Sequence, residues 1–141
     1  PKDQGRLDLA MENGADACCA DPAALKELVL KHNPYGADAV LECSGAVPAL
    51  KSAIDICRRG GQIGQLGLFG RPIEFPMDQL VMKEIRLNVS MGQSWQRLMT
   101  LFAQNAVRAD KLVSAEFPLE RWEDAFAMAE SGSGYRIVLV P

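Results

Sequence analysis

Between residues 15 and 68, short apolar runs alternate with segments of helical spacing, and Gly, Pro, Asp or Asn marks each change of period. Residues 15–20 form an apolar run suited to a buried strand. Asp21-Pro22 supplies an N-cap and a first-turn proline for a helix over 23–32, where Leu25, Leu28 and Val29 share a face. Asn33-Pro34-Tyr35-Gly36 stops that helix, 37–43 reads as the next strand, and Pro48 opens a helix carrying Leu50, Ala53, Ile54 and Cys57. Residues 62–68 read as a further strand. Strands separated by helices of this length are parallel with crossover connections, so the fold class is α/β.

The rhythm has a preface and a tail. Leu7, Leu9, Ala10 and Met11 predict a short helix closed by Asn13-Gly14. After residue 68 the order loosens. Ile73-Glu74-Phe75, bracketed by Pro72 and Pro76, suits an edge strand. Residues 78–83 predict a helical turn and 85–91 a strand. Ser94 can cap a helix bearing Leu98, Leu101 and Phe102. Residues 113–119 are extended, a helix with Trp122, Phe126 and Met128 ends near Gly132, and 136–140 form a last strand.

Composition narrows the function classes. The 141 residues are 48% apolar and 23% charged, one domain's worth of chain with material for a core. A net charge of −3 argues against a nucleic-acid partner, which would want a basic surface. No apolar run is long enough to span a bilayer and no leader pattern opens the chain, so no membrane partner is expected and a cytoplasmic location is the default. Cys18, Cys19, Cys43 and Cys57 contain no CxxC pair, and the single histidine, His32, sits at a helix end; zinc spacing is absent and the thiols read as buried or half-buried. Trp95 and Trp122 read as core residues on helices.

The glycines from Gly60 to Gly67 do not form a GxGxxG fingerprint, which must follow a strand and open a helix. Gly60-Gly61 follows a helix instead and reads as its C-cap and turn, with Arg58 and Arg59 favourably placed in the last turn. Gly67, at the carboxyl end of a strand, lies where open α/β sheets bind ligands. Glu42-Cys43-Ser44-Gly45 has the same address: Ser44 and Gly45 either meet a cofactor or cap the next helix. Arg136 is ordinarily a solvated charge. No general base, nucleophile or metal cluster stands out.

The succession Arg6-Leu7-Asp8-Leu9-Ala10, Gly14-Ala15-Asp16, Glu42-Cys43-Ser44-Gly45, Arg59-Gly60-Gly61 and Gly67-Leu68 resembles the zinc-dependent medium-chain alcohol dehydrogenases, nearest their polyol and threonine branch. Phe117-Pro118-Leu119, Glu123-Asp124-Ala125-Phe126 and the ending Arg136-Ile137-Val138-Leu139-Val140-Pro141 resemble that family's C-terminus. The resemblance implies a partial Rossmann-type doubly wound sheet without its first βαβ unit over 1–92. A segment returning to the catalytic domain would follow over 93–141, the return lying near Gly92-Gln93. It implies hydride transfer between a secondary alcohol or polyol and NAD or NADP, with zinc ligands and glycine fingerprint lying outside this chain, which alone would be inactive.

Carried over by position, Cys43, Ser44 and Gly45 would line the adenosine side, and Leu66, Gly67 and Leu68 would flank the nicotinamide. Val89, Ser90 and Met91 would serve the carboxamide, and Arg136 would reach the pyrophosphate. The acidic ribose reader of the family would fall near Pro1, Lys2 and Asp3; Lys2 and Arg6 are candidates for a 2′-phosphate instead. Ile73-Glu74-Phe75 resembles a dimer-forming edge, implying a homodimer or homotetramer. Three rival readings remain at this point: a zinc-free enone or quinone reductase of the same superfamily, a Rossmann-like methyltransferase, and a non-catalytic dimerising module. A core made to face absent strands should leave apolar surface exposed.

Overall fold

The computed structural model describes residues 4–91, 94–106 and 110–141. In chain order the helices and strands are α1 (Gln4–Glu12), α2 (Pro22–His32), β1 (Ala37–Glu42), α3 (Val47–Ile56), β2 (Cys57–Gln65), α4 (Met77–Lys83), β3 (Arg86–Val89), α5 (Trp95–Ala103), β4 (Val113–Pro118), α6 (Trp122–Ser131) and β5 (Arg136–Val140). They divide into two compact units, Cys19–Gln93 and the combination of Pro1–Cys18 with Ser94–Pro141. Both sheets are parallel, as the strand–helix rhythm predicts for an α/β chain.

In the Cys19–Gln93 unit the strands lie in the order β1-β2-β3. The Asp21 carboxylate accepts from the Ala23 backbone N–H at 3.1 Å and Pro22 occupies the first turn, so α2 starts where the sequence places it. The core joins Leu50, Ala53 and Ile54 of α3 to Cys57 and Ile63 of β2, with Leu80 and Ile85 beside them. Val40, Phe69, Ile73 and Phe75 pack around this cluster. The C-terminus of α3 is closed from outside: Lys83 Nζ donates to the carbonyls of Ile54 (2.7 Å), Asp55 (2.8 Å) and Cys57 (3.1 Å). A cation on those carbonyls satisfies orphan acceptors and opposes the helix dipole. The cation in that position is Lys83, not Arg58 or Arg59.

The other unit contains a small βαβ arrangement, with β4 and β5 parallel and α6 packed on both. Ala125 is its buried contact on α6. At α1, the Ala15 N–H donates to the Ala10 carbonyl and the Gly14 N–H to Met11, the paired bonds that end a helix at a glycine. Arg6 donates to the Gly134 carbonyl at 3.5 Å and lies 5.5 Å over the Tyr135 ring.

Several expectations are corrected. Residues 15–20 belong to no ladder: an apolar run becomes a strand only where a neighbour offers hydrogen bonds, and none of the described strands pairs with it. Gly60-Gly61 is not a helix cap but part of β2, inside a bulge where pairing jumps from Ala37↔Cys57 to Ala39↔Gln62. Arg58 pairs there with Asp38 and Arg59 with Glu84. β2 ends at Gln65, so Leu66-Gly67-Leu68 is a loop. Residues 73–75 are unladdered, with Ile73 and Phe75 turned to the core.

Trp95 is 72% exposed, and Trp122 is exposed as well. Each is the first residue of its helix, and Trp122 covers Phe126 edge-to-face at 5.9 Å instead of entering a core. Cys43 is exposed, Cys18 and Cys19 are half-buried and Cys57 is buried, all four as free thiols. Large apolar side chains do stand exposed, Leu41, Val81, Met82 and Val89 among them. Lys2, Asp3 and the Gly92-Gln93 return point lie outside the described residues. Among the described residues, no helix is long and apolar enough to cross a membrane.

Candidate functional site

Three strand ends come together at the carboxyl edge of the β1-β2-β3 sheet. β1 closes on Glu42, the only charged residue among the buried ones described, at 4% exposure. A carboxylate inside an apolar sheet must find local donors. Glu42 finds them in the turn that follows and in the neighbouring strand. Its Oε1 accepts from the Ser44 N–H at 2.8 Å and from the Ser44 hydroxyl, and both oxygens accept from the Gly45 N–H at 3.1 and 3.0 Å. Gln65 Nε2 donates to Oε2 from the end of β2.

The backbone repeats the connection. The Glu42 carbonyl accepts from the Leu66 N–H at 2.8 Å and the Gly67 N–H at 3.0 Å. Gln65 extends it, its Nε2 donating to the Gly67 carbonyl at 2.8 Å and its own carbonyl accepting from the Ser90 N–H at 3.3 Å. Ser44 serves the helix only indirectly: its Oγ accepts from the Ala46 N–H at 3.2 Å, and Ala46 holds the N-cap position of α3 without a side-chain bond.

Two glycines let the loops touch. Gly45 has φ +68°, and a Cβ there would stand 2.2 Å from the Leu68 carbonyl oxygen. A Cβ on Gly67 would stand 2.0 Å from the Gly45 nitrogen. Neither position tolerates a side chain without movement of backbone.

Around this contact lie two open cavities. One, of about 450 Å³, is lined by Leu66, Gly67, Leu68, Val89, Ser90 and Met91 together with Gln65 and Phe69. The other, of about 380 Å³, lies on the α2–α3 side of β1 and includes Cys43 and Ser44 with Cys19 and Leu25. Six of the expected site residues thus share one cavity, Cys43 and Ser44 line the second, and Gly45 touches the loop of the first. Arg136 belongs to the other unit, exposed at the start of β5. Of the two residues that organise the site, Glu42 enters the sequence reading only as the first residue of the Glu42-Cys43-Ser44-Gly45 motif, with no role assigned, and Gln65 does not enter it as a site residue. The signal available was a lone acid ending the apolar stretch Ala39-Val40-Leu41, directly before Cys43-Ser44-Gly45.

Burial pushes the Glu42 carboxyl up, but the bonds from the Ser44 side chain and backbone, from Gln65 and from the Gly45 N–H outweigh it. The net position is below the ordinary value of 4.5. A carboxyl lowered on folding adds stability above its unfolded value, and that stability is lost as pH falls through the folded value. The thermal midpoint of Glu42→Gln is therefore expected to lie below that of the unaltered chain at pH 7. The gap should narrow as pH drops below about 4.5, as thermal scans across pH would record.

Among the described residues no group of His, Cys, Asp and Glu could hold a metal ion, so zinc does not fit the side chains present. The larger of these two cavities includes Gln65 in its lining. Its rim is apolar (Val89 is 77% exposed), and Gln65 Oε1 is a buried acceptor with no partner among the described residues.

Comparison with known proteins agrees with this architecture. The zinc-binding dehydrogenase family profile matches residues 2–105. A sorbitol dehydrogenase of Halalkalibacterium halodurans is 40% identical over 99% of this chain and 42% of its own length. An L-threonine 3-dehydrogenase of Symbiobacterium thermophilum is 36% identical over 96% of the chain and 41% of its own. The chain thus spans about two-fifths of the length of these relatives. The crystal structure of an alcohol dehydrogenase from Thermotoga maritima superposes with a TM-score of 0.86 at 25% identity, covering 98% of this chain and 41% of that one. A zinc-binding dehydrogenase structure from Sinorhizobium meliloti, described as bound to NADP, gives 0.84 at 24% identity over 100% and 44%. With parallel strands, matching profile and matching fold, this chain belongs to the zinc-binding dehydrogenase family, among relatives that include sorbitol and threonine dehydrogenases.

Proposed function

We propose that this chain forms the nicotinamide-binding portion of a zinc-dependent dehydrogenase that transfers a hydride between a secondary alcohol or polyol and NAD or NADP. The observation that carries the reading is the meeting of three strand exits at the carboxyl edge of a parallel sheet, where such sheets bind ligands: 65–68 and 89–91 line an open cavity, and 42–45 is bonded to the 66–68 loop. The nicotinamide, when bound, supplies the hydride acceptor. Leu66, Gly67 and Leu68 form one wall for its ring, and Val89, Ser90 and Met91 offer the opposite wall and backbone groups for its amide.

Cys43, Ser44 and Gly45 meet the adenosine half through side chains and Cα surface, because the Ser44 and Gly45 N–H groups are already given to Glu42. Arg136 is assigned to the pyrophosphate on its charge. Zinc and its ligands are assigned to sequence outside these residues, and no step here runs through them. Association into a homodimer or homotetramer along 73–75 belongs to the same reading.

Titration of the chain with NADH and NADPH, followed by nucleotide fluorescence, is expected to show saturable binding that NAD or NADP competes away. S-adenosylmethionine should not compete, and sorbitol with NAD should give no NADH from this polypeptide alone. Binding of the methyl donor in place of the dinucleotides would overturn the assignment. Sorbitol-dependent NADH formation by the 141-residue chain would overturn the placement of zinc elsewhere.

A further inference from the structure

We infer that Glu42 is a positioning residue that locks the 43–45 turn to the 66–68 loop, so that the two surfaces assigned to the two halves of the dinucleotide are held in one fixed relation. The inference rests on the proposed function for its consequence in binding, but its structural content stands on the hydrogen bonds alone. Every donor on Glu42 comes from one of the two strand exits. Ser44 and Gly45 supply the first group, and Gln65 supplies the second. The Glu42 carbonyl takes the Leu66 and Gly67 N–H groups in addition.

The carboxylate is not acting as a helix cap, since α3 begins at Val47 with Ala46 in the cap position. Nor does it pair with a cation, since the ion pairs among the described residues do not involve it. Among the described residues its charge is stabilised by uncharged donors, an arrangement whose geometry is fixed by the need to satisfy each of them. Gln65 is the link across. Its Nε2 is shared between Glu42 and the Gly67 carbonyl, and the reversed amide would set Oε1 against the carboxylate. Contact between Gly45 and Gly67 without side chains completes the lock. A site held by such a second layer keeps its reacting surfaces in register, and loosening the layer costs binding without removing a contact to the ligand.

The test uses Glu42→Gln, Gln65→Met and the double variant in the full chain, read by amide hydrogen exchange and by NADH titration. Glu42→Gln is expected to speed exchange at Leu66 and Gly67, across the sheet from the substitution, by about tenfold. Gln65→Met, which leaves the turn bonds of Glu42 intact, should do the same at those amides, and the double variant should add little to either. NADH binding should weaken about tenfold in each. Changes confined to 42–45 or strictly additive effects would overturn the lock, and unaltered NADH affinity in a folded Glu42→Gln variant would overturn its role in positioning the dinucleotide surfaces. If the unaltered chain binds no dinucleotide, the functional reading fails, while the exchange pattern at Leu66 and Gly67 still decides the lock by itself. Should Glu42→Gln not fold, Gln65→Met carries both readouts.

Discussion

Gly67→Ala is expected to cost ~3 kcal/mol of stability and to open the contact between the two loops. The added Cβ would lie 2.0 Å from the Gly45 nitrogen, 2.7 Å from its Cα and 2.8 Å from Glu42 Oε2. Backbone cannot swing aside as a long side chain can, so the 66–68 loop must retreat and break the Leu66 and Gly67 bonds to the Glu42 carbonyl. Two companions separate steric cost from backbone strain. Gly70 has φ +66° and nothing within 4 Å of the place a Cβ would take, so Gly70→Ala should cost about 1 kcal/mol from left-handed strain alone. Gly45 combines φ +68° with a Cβ only 2.2 Å from the Leu68 carbonyl oxygen, and its alanine variant should be the worst of the three at ~4 kcal/mol. Urea unfolding of the three variants gives the ranking. Gly67→Ala no costlier than Gly70→Ala would mean that the loops are not in enforced contact.

Much of this fold is readable from local chemistry. Asp21-Pro22 starts α2, Gly14 ends α1, Gly132 ends α6, and the strand–helix alternation leads to parallel pairing. These signals act within a few residues, so they hold whatever the rest of the chain does. The misreadings share a different cause. Residues 15–20 and 73–75 have strand-like composition, but a strand is a relation between two segments, and composition does not say whether a partner is there. Gly60-Gly61 reads as a turn because a bulge and a helix cap ask for the same residue. Trp95 reads as core because size and hydrophobicity do not report which way the first residue of a helix projects.

The site follows the same division. Ser44, Gly45 and Gly67 stand out because small residues at strand ends are a local signal. What makes them a unit is not local. Glu42 and Gln65 are 23 residues apart, and only the parallel register that sets Glu42 beside Gln65 turns an acid and an amide into a bond. Arg136 carries no such geometry, since charge and position in sequence are all that recommend it.

Ile63→Ala is expected to remove ~3–4 kcal/mol while leaving the site's own bonds intact. Ile63 is 0% exposed in the middle strand, paired in register with Val40 on one side and Leu87 on the other. Its side chain belongs to the cluster with Leu50, Ile54 and Leu80, and shortening it leaves a void between the sheet and the helices that neither can fill without losing its own contacts. Ile63 shares its face of β2 with Gln65, two positions on, but takes no part in the Gln65 bonds to Glu42 and Gly67, so the substitution removes none of them. The two variants therefore separate the core from the site. In Ile63→Ala, NADH affinity per folded molecule should match the unaltered chain, with the whole loss appearing in the urea midpoint. In Gly67→Ala, affinity should fall even after correction for the folded fraction, because the strain is lodged in the loops that form the cavity wall. Equal losses of corrected affinity in both would show that the cavity depends on general packing and not on the contact between Gly45 and Gly67.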